Sequence, residues 1–252
     1  MKQVLPAILC LAIFVSACSC AYAFDFRSEL IGGQPALKGE FPEIIYISSG
    51  NARCSATVIG PRVIMTAAHC VRDGADISPV GVASFVFDQR VYKATCLQAP
   101  LYRDGIEDHD MALCKTDKEI AVRFASISKR GPKVSDEALL SGFGCINPGG
   151  GGGNDGILRY GVAKVTQLPA GTNNWFYTKA SAALCFGDSG GPSFLKLSDP
   201  AREKHFVIGV NSRGNIRDVS MMTALFIEKS QDFFKRFADD EGVEICGINQ
   251  NC

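Results

Sequence analysis

A serine framed by three glycines, in the run Cys185-Phe186-Gly187-Asp188-Ser189-Gly190-Gly191-Pro192, sets the terms for the rest of this 252-residue chain. Glycines open backbone conformations that a Cβ forbids, and they let another chain approach the main chain closely. A turn of this kind can expose a hydroxyl while aiming neighbouring backbone N–H groups at one point. That is what a nucleophile beside an oxyanion hole requires. An ordinary glycine-rich turn has the same composition, so the run alone leaves the fold open.

A second motif, Thr66-Ala67-Ala68-His69-Cys70, lies far upstream. Gly187, Ser189 and Gly191 also fit the nucleophile elbow of α/β-hydrolases, but there the histidine follows the serine. After Ser189 only His205 remains, with no acid-bearing element of the expected kind between them. With His69 first, an acid in the middle and Ser189 last, the order is that of chymotrypsin-like proteases. Together, TAAHC and GDSGGP resemble the trypsin/chymotrypsin family of serine endopeptidases, and weaker similarity runs from about Leu30 to Ala238. The resemblance implies an all-β fold, two six-stranded antiparallel β-barrels with a C-terminal α-helix. It also implies hydrolysis of protein or peptide substrates with neither cofactor nor metal. A monomer is expected.

Length and charge agree with that class. A chain of this size can bury a large core, and β folds of such length often form one unit. Its 26 basic and 26 acidic residues cancel, so there is no electrostatic case for nucleic acid or an anionic membrane surface. Frequent glycine and short strand-like segments favour barrels or sandwiches over βα repeats.

The chain opens like an exported bacterial protein. Lys2 precedes an apolar run, Val4 to Ala17, that is too short for a comfortable membrane span. Two cleavage readings compete. Val15-Ser16-Ala17-Cys18 resembles a bacterial lipobox, in which Cys18 would carry a lipid anchor. Ala21-Tyr22-Ala23 fits ordinary secretion. Removing residues 1–23 discards Cys10, Cys18 and Cys20 and leaves eight cysteines, an even set suited to an oxidising compartment. A lipobox would instead keep Cys20 as an unpaired thiol.

Leu30-Ile31-Gly32-Gly33 resembles the Ile-Val-Gly-Gly that begins the mature form in this family, making residues 24–29 a short propeptide and 30–252 the protease domain. The resemblance implies a zymogen ion pair: cutting frees the amine of Leu30, which folds inward onto Asp188. Glu29 precedes the site where the family usually has Arg or Lys, and Arg27 lies two residues earlier. Either an acid-specific protease cuts here, or the processing site differs.

By the same resemblance His69 is the general base and Ser189 the nucleophile, with the N–H groups of Gly187 and Ser189 as the oxyanion hole. The acid comes from a segment offering Asp104, Glu107, Asp108 and Asp110. Asp110 precedes Met111-Ala112-Leu113, matching the family's D-x-A-L, and the other three read as a solvated loop. His109 has no matching role and reads as structural.

Cysteines placed like Cys54 and Cys70 form a disulfide beside the histidine in this family. Cys96 and Cys114 flank the acid loop at the ends of two strand-like runs, Phe85–Cys96 and Met111–Lys115, and are paired on that basis. Ser141-Gly142-Phe143-Gly144 resembles the G-W-G turn that opens the second barrel, followed by a glycine-rich loop from Pro148 to Gly156. The family partner of Cys185 would sit shortly after Gly214, where no cysteine occurs, which points to Cys145–Cys185. Cys246 and Cys252 close a small terminal loop.

The specificity pocket follows by matching. Ala183 stands where trypsins carry Asp, Leu184 follows it, and Ser220 falls at the far wall. Ser212-Arg213-Gly214 resembles the S-W-G strand that pairs with substrate, with Arg in place of Trp. A neutral pocket favours an apolar side chain next to the scissile bond. If Arg213 turned inward, an acidic side chain would fit instead. Phe233, Phe234 and Phe237 have the spacing of an amphipathic helix over Glu228–Ala238. Other readings of the whole chain are a non-catalytic binding protein on a protease scaffold and an esterase with the same triad.

Overall fold

Buried residues alternate with more exposed ones along segments such as Val80–Phe87 and Arg159–Gln167, and that period of two sets which of their side chains face inward. The computed structural model describes residues 30–71, 80–102, 109–153, 155–196 and 205–252. A two-residue strand, β1 (Gln34–Pro35), precedes six strands: β2 (Ile44–Ser49), β3 (Ala52–Gly60), β4 (Val63–Thr66), β5 (Val80–Phe87), β6 (Arg90–Gln98) and β7 (Ala112–Thr116). They close into a barrel in the order β2-β3-β4-β7-β6-β5. Ala83 and Phe85 on β5, with Tyr92, Ala94 and Cys96 on β6, point into it. Phe85 and Tyr92 stack at 4.9 Å between ring centres.

After a short β8 (Ser126–Ile127), the second barrel is built from β9 (Glu137–Gly142), β10 (Arg159–Gln167), β11 (Trp175–Lys179), β12 (Pro192–Leu195), β13 (Phe206–Gly214) and β14 (Val219–Ala224). The sheet runs β10-β11-β14-β13-β12-β9, and the pairing of β9 with β10 closes it. β1 extends it beside β10, and β8 lies parallel to β13. The fold is therefore the two-barrel, all-β architecture expected from the sequence.

A C-terminal helix, α1 (Glu228–Glu241), follows, three residues longer than the expected segment. Phe233, Phe234 and Phe237 bury one face in the first core. Gly242 ends the helix in the left-handed conformation (φ 59°), and its N–H donates to Ala238 O.

Two expectations are corrected. The run Phe85–Cys96 is not one strand but the hairpin β5–β6, turned by Asp88 and Gln89, whose φ angles are 46° and 59°. Paired left-handed residues suit the twist of a two-residue hairpin loop. Without glycine or asparagine there, the turn left no sign in the sequence. The stretch Ser141–Gly144 likewise ends the first strand of the second barrel rather than preceding it.

Four disulfides join Cys54 to Cys70, Cys96 to Cys114, Cys145 to Cys185 and Cys246 to Cys252. Cys96 and Cys114 stand directly opposite each other on β6 and β7. Cys10, Cys18, Cys20, Arg27 and Glu29 lie outside the described residues, and no helix among those described is long and apolar enough to cross a membrane.

Candidate active site

β4 is buried along its whole length and delivers the chain into a single 3-10 turn, Ala68–Val71. Ala68, Cys70 and Val71 face inward, which leaves His69 at the rim with its side chain 32% exposed. Asp110, fully buried just before β7, grips it twice. Oδ1 accepts the His69 main-chain N–H at 3.0 Å, and Oδ2 lies 2.7 Å from Nδ1. Ser212 Oγ donates to the same Oδ2 at 2.6 Å, and Thr223 Oγ1 donates to the Asp110 carbonyl at 3.1 Å. A proton held on Nδ1 by the carboxylate leaves Nε2 as the basic nitrogen. Asp104, Glu107 and Asp108 lie outside the described residues. His109 is buried with φ 56°, and its Nδ1 is 2.7 Å from Asn174 Nδ2.

Ser189 approaches from the second barrel. Its hydroxyl donates to Ser212 O at 3.3 Å, so the serine and the acid share Ser212 as a hydrogen-bond partner. Its carbonyl accepts the N–H of Ser55, on β3, at 2.8 Å. Gly190 is held at φ 82°, where an added Cβ would run into Thr66 Oγ1 and Ser55 O. Only glycine lets the two barrels close this tightly behind the serine.

The backbone around Ser189 is oriented by its carbonyls. Phe186 O accepts from Cys145 N at 2.9 Å, and the trans peptide turns the Gly187 N–H to the opposite side. Asp188 O accepts from Gly191 N at 3.0 Å and from Asn211 Nδ2 at 3.4 Å, which does the same for the Ser189 N–H. Neither N–H has a backbone acceptor among the described residues. Two donors so placed can receive an oxyanion.

Beneath them Asp188 is fully buried. Its carboxylate accepts from Gly144 N and Cys185 N, each at 2.9 Å. Burial pushes its pKa up to about 7 against the lowering effect of those two donors and of the Arg159 charge. Arg159, also buried, forms a two-pronged pair with Asp155 at 2.7 Å. Leu30 is fully buried at φ 62°, and Ile31 bridges to Ala183, whose N–H donates to Ile31 O at 2.8 Å.

Ala183 and Leu184 are buried, Leu184 N donates to Ser220 Oγ at 2.9 Å, and Ser220 lies opposite Gly214 in register. These four residues come together on one wall, and none carries a charge. Ser212 shares the strand, but its hydroxyl serves Asp110. Arg213 does not turn towards that wall; its guanidinium carbon sits 5.7 Å from the ring centre of Trp175.

Ser55 was missed in the sequence. Its hydroxyl donates to Gly187 O at 2.8 Å and accepts from Phe143 N at 3.0 Å, while its N–H holds Ser189 O. Its place beside Cys54, the partner of the cysteine after His69, was the signal that could have found it. Cys54 and Cys70 gather with His69, but their sulfurs are bonded to each other.

Two closed six-stranded barrels with a serine, a histidine and an aspartate between them define a chymotrypsin-like protein. The trypsin profile matches residues 30–231, and the chain belongs to the trypsin family of serine proteases. It is 30% identical over 191 residues to serine protease SP24D of Anopheles gambiae, covering 67% of this chain and 68% of that one. It is 29% identical over 198 residues to a trypsin-like protease of Streptomyces glaucescens, covering 71% and 70%. Among solved structures it resembles neuropsin, a serine protease expressed in the limbic system of mouse brain. That match has TM-score 0.65 and 18% identity, and covers 82% of this chain and 99% of that chain. The neuropsin match speaks for the fold, and the sequence relatives speak for the family.

Proposed function

We propose that this chain is a serine endopeptidase in which His69, Asp110 and Ser189 act as one unit. His69 Nε2 takes the Ser189 Oγ proton as the oxygen attacks the scissile carbonyl. Asp110 holds the ring through Nδ1 and stabilises the imidazolium that forms. The carbonyl oxygen becomes an oxyanion held by the N–H groups of Gly187 and Ser189. His69 returns the proton to the leaving amine, which departs as the C–N bond breaks and leaves an acyl ester on Ser189. Water, deprotonated by His69, then releases the acid and restores the serine.

One observation carries this reading: the carboxylate of Asp110 receives His69 Nδ1 at 2.7 Å and Ser212 Oγ at 2.6 Å, while Ser212 O receives Ser189 Oγ. In this reading the hydroxyl turns from Ser212 O to the ring when substrate binds, as catalytic hydrogen bonds often form or tighten only then. The uncharged wall of Ala183, Leu184, Ser220 and Gly214 supports an apolar residue next to the scissile bond. Export as a bacterial secreted form, with residues 1–23 as leader or Cys18 as a lipid anchor, belongs to the same proposal. So does activation by a cut at Glu29–Leu30, after which the Leu30 ammonium pairs with Asp188.

Fluorophosphonate labelling of protein beginning at Leu30, followed by peptide mapping, tests the reading. Label on the peptide carrying Ser189 is expected. Label elsewhere, or labelling that persists in Ser189→Ala, contradicts it.

A further inference from the structure

Asn211 is fully buried beside Ser212 and takes no part in the proton transfers above. It marks the point where β13 runs off the end of β12 and onto the nucleophile turn. Val210 still stands opposite Pro192, but the Asn211 N–H donates to Gly191 O at 2.9 Å, and its carbonyl accepts from Gly190 N at 2.8 Å. The main chain of this one residue therefore clamps both residues that follow Ser189.

Its side chain reaches the residue before the serine. Nδ2 donates to Ser141 O, on β9, at 2.9 Å and to Asp188 O at 3.4 Å. Oδ1 accepts from the hydroxyl of Ser193, on β12 and equally buried, at 2.7 Å. These neighbours fix the polarity of the amide. Two carbonyls can only accept, so the NH2 must face them, and it has one hydrogen for each. The Ser193 hydroxyl supplies the proton that the amide oxygen takes. A buried network with every member satisfied rigidifies what it touches.

That polarity discriminates between the two orientations of the Asp188–Ser189 peptide. With its carbonyl towards Asn211, the trans peptide turns the Ser189 N–H away, to where the oxyanion forms. Were the peptide turned over, its N–H would face the Asn211 NH2, donor against donor. Its carbonyl would then stand where the oxyanion is to be received. The turned-over state leaves buried donors unsatisfied, which is costly, so the amide both rewards one orientation and penalises the other.

We propose that Asn211, its amide oriented by Ser193, is a positioning residue that holds the Asp188–Ser189 peptide with its N–H in the oxyanion hole. It touches no reacting atom and acts through Asp188 O. This rests on the peptidase reading above and adds two side chains that the reading does not use.

The test compares Asn211→Leu, Asn211→Asp and Ser193→Ala in protein beginning at Leu30, with kcat expressed per active site counted by burst titration. Deleting an oxyanion donor outright costs a hundredfold or more, so a donor present but no longer held should cost about tenfold in kcat, with KM within about twofold. Asn211→Asp keeps the shape and sets oxygen against both carbonyls, so its loss should be the largest. Ser193→Ala keeps the amide but frees it to turn, and should fall between wild type and Asn211→Leu. A peptidyl trifluoromethyl ketone, whose adduct with Ser189 puts an oxyanion in the hole, should bind more weakly by the factor that kcat/KM falls. A wild-type kcat per titrated site in both Asn211 variants overturns the proposal, since Asn211 would then serve only the fold. So does ketone affinity that stays at the wild-type level while kcat drops. If neither Asn211 variant folds, Ser193→Ala decides, and a wild-type kcat per site there overturns the proposal. Turnover of no peptide by the wild-type protein would overturn the peptidase reading, and this proposal with it.

Discussion

The carboxylate of Asp188 and the main-chain N–H of Gly144 meet at 2.9 Å inside the protein. The N–H of Cys185 supplies a second bond of the same length, and the Cys145–Cys185 disulfide ties together the same two segments. The carboxylate thus braces the turn after β9 against the residues that precede Ser189. An added Cβ on Gly144 would press into this carboxylate, so the turn and the acid depend on each other.

That buried acid makes the uncut chain sensitive to pH. Burial raises the Asp188 pKa to about 7, so between about pH 4 and 7 the folded chain holds a proton that the unfolded chain has lost. Stability should be greatest near pH 4 and fall as pH rises through 7, by up to roughly 4 kcal/mol from this group. Urea midpoints of the uncut protein, in a Ser189→Ala background that blocks self-cleavage, measure it. Asp188→Asn should remove this component of the slope, and cutting before Leu30 should flatten it by supplying a cation. Identical slopes with and without the Asp188→Asn substitution would contradict the assignment.

Ser55 should matter to rate more than to binding. In Ser55→Ala the Gly187 carbonyl and the Phe143 N–H lose a buried partner, a change worth about 1–3 kcal/mol. The loss falls on the backbone that orients the oxyanion donors. We expect kcat to drop on the order of tenfold with KM little changed. A wild-type kcat in that variant would show that the hydroxyl is incidental.

These residues also show what could be read from sequence. His69 and Ser189 announce themselves because each sits in a short local pattern that the turn geometry requires. Cys96 and Cys114 could be paired because each ends a strand-like run beside the acid loop. Ser55, Thr223 and Asn211 were invisible. Each acts only once strands distant in sequence are brought together: Ser55 reaches Gly187, Thr223 reaches Asp110, and Asn211 reaches Ser141 at 2.9 Å. The direction of Arg213 was open for a similar reason, since it is set by a register slip between β13 and β14. Asp188 could be matched by position, but its two N–H partners belong to the closed barrel.

The choice of acid separates two carboxylates close in sequence. Asp110→Asn keeps the shape but favours the wrong ring tautomer, and should lower kcat on the order of 10⁴-fold. Asp108→Asn should stay within a few-fold of wild type, as the sequence reading of Asp108 as a solvated charge implies. Steady-state kinetics on one peptide substrate decides it. Comparable losses in the two variants would mean that the acid is assigned to the wrong residue.

The central claim is a covalent acyl-enzyme on Ser189, and an active-site titration reads it directly. Protein beginning at Leu30, mixed with an activated ester of an apolar amino acid, should release a burst of leaving group approaching one equivalent per chain, followed by slow turnover. Ser189→Ala should release none. A wild-type protein that hydrolyses the ester with no burst even when deacylation is limiting, or a Ser189→Ala protein with the same burst, would contradict the account.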